Sequence, residues 1–342
     1  MVSPPLWSYS SLQVITMSEL LSSPLIIRAL LALLFSSIMT AVIGTFTVLR
    51  GLSTMGAAIA HASLAGAVLG VILGIEPILG AFLLSIFFAL ATAFVGEEGK
   101  GRMDIILGVS FGFSTSLAIL FISMLSAYTV AAWSFLLGDV LGVTEGELAI
   151  LFAFTISSVC LVWVFYKEFK FITFDEEGAE AMGVRVRFIH YFMILLMAVA
   201  TVVALRVVGS ILTVVMLVAP AAAAYEFSHS LERMMILSVL IAVVTSFTGF
   251  FISIKANVAT SAVIGVVASL TFLISLLLST KRRKCACRLV SPVRLVREKQ
   301  TAFRKHLSRA TINWENLDLI STSSHPSLLA KNKCVDHDAR RN

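Results

Sequence analysis

Charge is missing from this chain over one membrane-length stretch after another. Uncharged runs lie between Arg28 and Arg50, Glu76 and Glu97, Asp104 and Asp139, Glu147 and Lys167, Arg206 and Glu226, Arg233 and Lys255, and Lys255 and Lys281. Two more, Gly51 to Ile75 and Phe188 to Leu205, carry nothing beyond one histidine each, His61 and His190. A helix needs about 20 apolar residues to cross the hydrocarbon core. No water completes an open backbone hydrogen bond there, so a spanning segment is a helix or part of a closed barrel. The sequence lacks the alternation of a barrel strand. The expected fold is therefore all-α, a polytopic membrane protein of 8–9 transmembrane helices with spans near 25–49, 55–75, 77–95, 103–126, 147–167, 188–207, 209–227, 232–254 and 257–279. Residues 1–24 read as an N-terminal extracytoplasmic segment, 25–280 as the membrane domain, and 281–342 as a basic cytoplasmic tail expected to be unstructured.

Composition agrees, with 58% hydrophobic and 13% charged residues against about a quarter charged in soluble domains. The net charge of +6 is local. From Arg28 to Lys255 acids slightly outnumber bases, and the basic excess follows Thr280, starting at Lys281-Arg282-Arg283-Lys284. That pattern argues against nucleic acid and for anionic membrane lipid beside the last span. Of the cysteines, Cys160 falls in an apolar run and Cys285, Cys287 and Cys334 in the tail, which implies no disulfide framework.

Basic residues set the orientation. With the loop around 168–187 inside, one side collects Arg50, Lys100, Arg102, Lys167, Lys170, Arg185, Arg187, Arg233 and the tail, and the other only Arg28, Arg206 and Lys255. The N-terminus is then outside and the tail cytoplasmic. Trp133, in the longest external segment, fits an aromatic belt. Asp139, Glu145 and Glu147 form an outer acidic patch, either solvated loop carboxylates or a feature that attracts cations or a partner.

Four features carry the functional argument. Ala58, Ala62, Gly66, Gly70 and Gly74 recur every four residues, a stripe that lets another helix approach closely. His61 is an ionisable group inside a span, either a packing residue or a metal ligand. Pro220 sits in the run Val207–Ala222, where it removes a backbone hydrogen bond and predicts a helix break along a translocation path. The internal segment 171–184 predicts a helix of two to three turns outside the membrane. Thr173 and Glu176 have capping-box spacing, Asp175 and Glu177 load the first turn with negative charge, and Gly183 suits the left-handed end. Ala179 and Met182 would give that helix a small apolar face. A short helix is marginal alone, so a soluble partner is expected to hold it. No HExxH or Walker-type motif is present, so intramembrane zinc hydrolysis and internal ATP hydrolysis find no support. The chain is not read as an enzyme. Transport must either use an ion gradient or borrow an ATPase.

Together these segments resemble the permease subunits of metal-ion ABC importers, the family that takes up zinc, manganese and iron. Val48-Leu49-Arg50-Gly51-Leu52-Ser53 leading into Ala60-His61-Ala62-Ser63-Leu64-Ala65-Gly66 is similar to the family's second-span signature. Phe174 to Val184 resembles its coupling segment, and Val208 to Leu212 through Val218-Ala219-Pro220-Ala221-Ala222 its proline-bearing span. The resemblance covers about residues 25 to 280. It implies a plasma-membrane homodimer with the path between two copies, and His61 as a ligand of the transported zinc, manganese or iron. It also implies an ATP-binding subunit, carrying ATP and magnesium, docked on Asp175, Glu176, Glu177, Ala179, Glu180, Met182 and Gly183. An extracytoplasmic receptor protein would deliver the ion, and this chain would bind no cofactor of its own. One departure stands out: the family commonly has an acidic residue four positions before the histidine, and here that position is Ala57. The alternatives are an ABC permease for a chelated metal or small organic nutrient, and an ion-coupled secondary transporter, although no carboxylate lies mid-span to serve the latter.

Overall fold

The computed structural model describes residues 23–98, 103–125 and 135–279. Apart from Leu278 and Ser279, these belong to the first of the two units, Met1–Leu277 and Leu278–Asn342, into which the chain divides. The readings on Trp133, on Lys100 and Arg102, on the N-terminal segment before Ser23 and on the tail from Thr280 onward lie outside the described residues.

The chain folds as α1 (Pro24–Leu49), α2 (Ser53–Leu73), α3 (Pro77–Glu98), α4 (Met103–Met124), α5 (Glu145–Val164), α6 (Tyr166–Phe174), α7 (Glu176–Ala181), α8 (Val186–Val208), α9 (Ser210–Phe227), α10 (Leu231–Ala256) and α11 (Thr260–Leu278). Among the described residues, all but α6 and α7 are long and apolar enough to span a membrane, nine helices in all. Their ends fall within three residues of the expected spans. Local chemistry explains several boundaries. Ser23 caps α1 and Pro24 opens it, and Thr144 and Glu147 form a reciprocal capping box on α5. Asn257, at φ 53°, ends α10 in the left-handed conformation. Large apolar side chains stand exposed all around the bundle, among them Leu83 and Phe87 on α3, Ile119 on α4, Ile156 on α5 and Leu240 on α10. Such a surface suits lipid and not water.

The first helix is the hub. It packs against α9, α10, α5 and α8, and buries Ser36, Ser37, Thr40, Thr45 and Thr47. Lipid tails are as apolar as leucine, so close approach and hydroxyl hydrogen bonds hold membrane helices together, the latter at about 0.6 kcal/mol each. The hydroxyls of Ser37 and Ser246 meet at 2.7 Å, joining α1 to α10. Ser238 donates to the carbonyl of Ala41 at 3.3 Å along the same seam. Gly44 lies directly on the carbonyl of Leu217, so α1 and α9 touch backbone to backbone.

The small-residue stripe on α2 divides by role. Gly66 meets Gly80 of α3 so closely that neither has room for a Cβ, and a Cβ on Gly70 would stand 3.1 Å from the Cα of Pro77. A Cβ on Gly74 would meet nothing within 4 Å among the described residues. The residue's φ of +69° closes α2, with its N–H turned back to Gly70 and Val71, so its glycine serves the turn. Pro220 also departs from expectation, because α9 runs through it unbroken and buries it. A proline deprives only the carbonyl four residues earlier, here Met216, of its partner, and the packed neighbours hold the rest of the helix. The chain turns sharply instead at Gly209, with φ 84° and ψ 164°, between α8 and α9.

Gly44→Ala should push against fixed backbone and cost roughly 1–3 kcal/mol. Gly146→Ala on α5, where a Cβ meets open space, should cost little. Thermal unfolding of the two purified variants in detergent would compare them.

Candidate functional site

Three places in this bundle carry chemistry: a charged knot at one end, a histidine along α2, and a clasped corner at the other end. The first begins where α5 gives way to α6. Phe169 and Ile172 are buried, and Phe169 lies 5.3 Å from the ring of Phe46 on α1. Lys170 approaches Glu232, at the start of α10, to 3.7 Å, and the hydroxyl of Tyr166 donates to the same carboxylate at 3.4 Å. Burial pushes the Tyr166 phenol up to about 12, with the Glu232 charge and hydrogen bond adding to the effect.

The acidic segment lies beyond this knot as α7. Asp175 caps it by accepting a 2.9 Å hydrogen bond from the Gly178 N–H. The Thr173–Glu176 capping box does not form. Thr173 is taken up into α6, where its hydroxyl donates to the Phe169 carbonyl at 2.6 Å, and a helical residue cannot adopt the extended geometry of an N-cap. The helix is therefore six residues long, shorter than the two to three turns expected. Gly183, at φ +83°, closes it, and the Val184 N–H returns to the Ala179 carbonyl at 3.0 Å. Ala179 and Met182 share no apolar face: Ala179 is fully buried in the bundle core, whereas Met182 is 76% exposed. Asp175, Glu176, Glu177, Glu180, Met182 and Gly183 all lie at the surface. Among the described residues one ion pair ties this segment to the spans, between Glu176 and Arg50 at the end of α1.

His61 sits in α2, half-buried, with its ring edge-on to Phe111 of α4 at 5.4 Å. Thr54, Ala57 and His61 follow one another at helical spacing and form an incompletely covered strip on a helix that is otherwise mostly buried. Among the described residues, no three of His, Cys, Asp and Glu come together as a metal-binding group. Gly108-Val109-Ser110-Phe111-Gly112 spells the nucleophile elbow of serine hydrolases, a motif that reading the sequence passed over. That chemistry needs a strained strand-to-helix turn, and here the motif lies inside uninterrupted α4.

At the opposite end, the acidic residues act as staples. Glu145 pairs with Arg28, and Glu147 accepts from Arg206 Nε at 2.7 Å. The Arg206 guanidinium also lies over Phe135 at 5.5 Å. Asp139 turns inward on its own loop, accepting from the Gly142 N–H at 2.9 Å. Beside them Gly138, at φ +78°, and Gly209 abut so tightly that a Cβ on either would enter the other's backbone. The side-chain pairing was not visible in the sequence, where Glu145 and Glu147 showed only as an acidic patch.

Residues 22–279 match the ABC 3 transport family. The chain is 36% identical over 255 residues to the manganese transport system membrane protein MntC of Listeria innocua, covering 75% of this chain and 91% of that one. It is 31% identical over 260 residues to the chelated iron transport system membrane protein YfeD of Yersinia pestis, covering 76% of this chain and 87% of that one. Among solved structures, PsaBC from Streptococcus pneumoniae in complex with Fab superposes with a TM-score of 0.71 at 31% identity, over 79% of this chain and 98% of that one.

Gly209→Ala should strain a left-handed backbone and collide with Gly138, at a cost of about 1–3 kcal/mol for the strain alone. The expected result is a lower detergent Tm and easier proteolysis of the 135–144 loop.

Proposed function

The chain belongs to the ABC 3 transport family, and from that membership we propose that it is the membrane-spanning permease subunit of an ATP-driven importer of divalent metal ions, with manganese as the first candidate cargo. Two copies enclose the path, and alternating access is powered by ATP hydrolysis on a separate subunit. The observation that carries this reading is α7: a short acidic helix, pinned at the bundle end by the buried Ala179, with Glu177, Glu180 and Met182 facing outward. Among the described residues nothing in the spans needs those groups. A soluble ATPase subunit does, and the exposed methionine among carboxylates supplies an adaptable apolar contact with a charged rim.

The orientation follows from charge. The end bearing Arg50, Lys170 and α7 is cytoplasmic, and the end bearing Arg28, Arg206, Glu145 and Glu147 faces outward, where a metal-binding receptor protein delivers the ion. The strip of Thr54, Ala57 and His61 lines the path. One imidazole is too few donors for a bare divalent ion at lipid depth, and a second copy brings a second His61. On α4, the helix carrying Phe111, Gly108 and Gly112 stand four residues apart with open space beyond each. We assign that face to the contact with the second copy, since small residues at this spacing admit a neighbouring helix.

A chelated metal is the second reading. YfeD supports it by resemblance, and so does Ala57, because a chelate brings its own ligands and needs fewer charged groups along the path.

Purified complex in vesicles, given ATP inside and manganese, iron, zinc or an iron chelate outside, separates these cargoes. Manganese uptake is expected to dominate, and uptake of chelate alone would overturn the first reading. His61→Ala should lower uptake by about 10- to 100-fold at unchanged folded yield, and unaltered kinetics would return His61 to packing. Glu177→Lys with Glu180→Lys should abolish co-purification of the ATPase subunit, while the protein still inserts.

A further inference from the structure

Arg50 is the least solvated cation with a resolved partner at the cytoplasmic end. It terminates α1 as its C-cap residue, with its N–H on the Phe46 carbonyl at 3.0 Å. Gly51, at φ +69°, then reverses the chain, and α2 begins at Ser53. Despite this position in a turn, the Arg50 side chain is only 11% exposed. Its Nη2 lies 3.5 Å from Oε2 of Glu176, the first residue of α7, whose side chain is 60% exposed. Burial lowers the affinity of the guanidinium for its proton, and the Glu176 charge works against that shift. Among the described residues this is the single ion pair between α7 and a membrane-spanning helix or its cap.

The placement matters more than the strength of the bond. On one side of the pair is the segment assigned to the ATPase. On the other is the three-residue turn, Arg50 to Leu52, that fixes where α2 starts, and His61 lies eight residues along from Ser53, a rise of roughly 12 Å. The Phe46–Phe169 contact lies just beneath, so α6 and α1 are already packed together. What Arg50 adds is a charged tie from α7 itself to the α1–α2 turn. Resting on the permease reading above, we propose that Arg50 is a positioning residue for transport: through Glu176 it carries the displacement of α7 into the start of α2 and so links ATP hydrolysis to the movement of the His61 strip.

The pair is asymmetric, and the asymmetry is testable. Removing Arg50 leaves Glu176 in water, whereas removing Glu176 leaves a buried guanidinium without its counter-charge, the costlier change. A bundle tie of no mechanical consequence would alter folding alone. A coupling tie alters how much transport each ATP yields.

The test uses the full chain reconstituted with its ATPase subunit in vesicles and measures manganese imported per ATP hydrolysed, together with subunit stoichiometry and Tm. Arg50→Gln is expected to lower the import-to-hydrolysis ratio by roughly tenfold, with the complex still assembled. Arg50→Lys should recover part of the ratio, because the charge survives without the planar fork. The double variant Arg50→Gln with Glu176→Gln should be no worse than the more impaired single variant, as expected of two groups acting as one. Should Arg50→Gln fail to insert, Arg50→Lys alone carries the same test, read as a ratio below wild type at unchanged subunit stoichiometry. A wild-type ratio in whichever of these variants inserts, or losses that simply add, would overturn the proposal. Absence of ATP-driven uptake by the wild-type complex would overturn the permease reading, and this inference with it.

Discussion

Helices in hydrocarbon satisfy their own backbones and gain little from excluding water, so their association depends on how closely they can approach. The rest of this structure depends on that constraint at α1. Gly44 removes the side chain that would keep α1 off the Leu217 carbonyl of α9, and the hydroxyls of Ser37, Ser246 and Ser238 join α1 to α10 where a soluble protein would use leucine. The buried Pro220 is tolerable for the same reason. Its helix is covered by tightly packed neighbours, and the one orphaned carbonyl does not end it.

The two ends of the bundle are built differently, and each suits a different task. The corner bearing Arg206 and Glu147 is locked by geometry as well as charge. Gly138 and Gly209 occupy left-handed backbone against each other, and Arg206 is held by both Glu147 and Phe135. The end bearing α7 is looser, with Glu177, Glu180 and Met182 exposed and α7 tied back through Ala179 and the Arg50–Glu176 pair. A surface that must engage a moving partner has to keep contacts unspent.

The spans could be read from the sequence because hydropathy is a property of each segment separately. Fold class and family membership followed, and both agree with the superposition on PsaBC. The errors came where one segment's conformation depends on another's. Thr173 and Glu176 have the right spacing for a cap, yet α6 extends far enough to absorb Thr173, and Asp175 takes the capping role. Gly74 fits the packing stripe by period alone but ends a helix. Ala179 and Met182, three apart, seemed one apolar face, and the bundle covers only the first. Arg50 entered the reading as a positive charge on the inner side and as part of the segment leading into the second span, with no partner assigned to it.

What the residues alone determined is the all-α class and the position of each candidate span, to within three residues. Each of these depends on transfer of a segment between water and lipid, a local free energy summed along the chain. Which face of α2 is left open beside His61, which glycines become contacts, and which carboxylate meets Arg50 were decided by tertiary packing. Those are relations between surfaces far apart in sequence, and they exist only once helices separated by up to a hundred residues or more lie side by side.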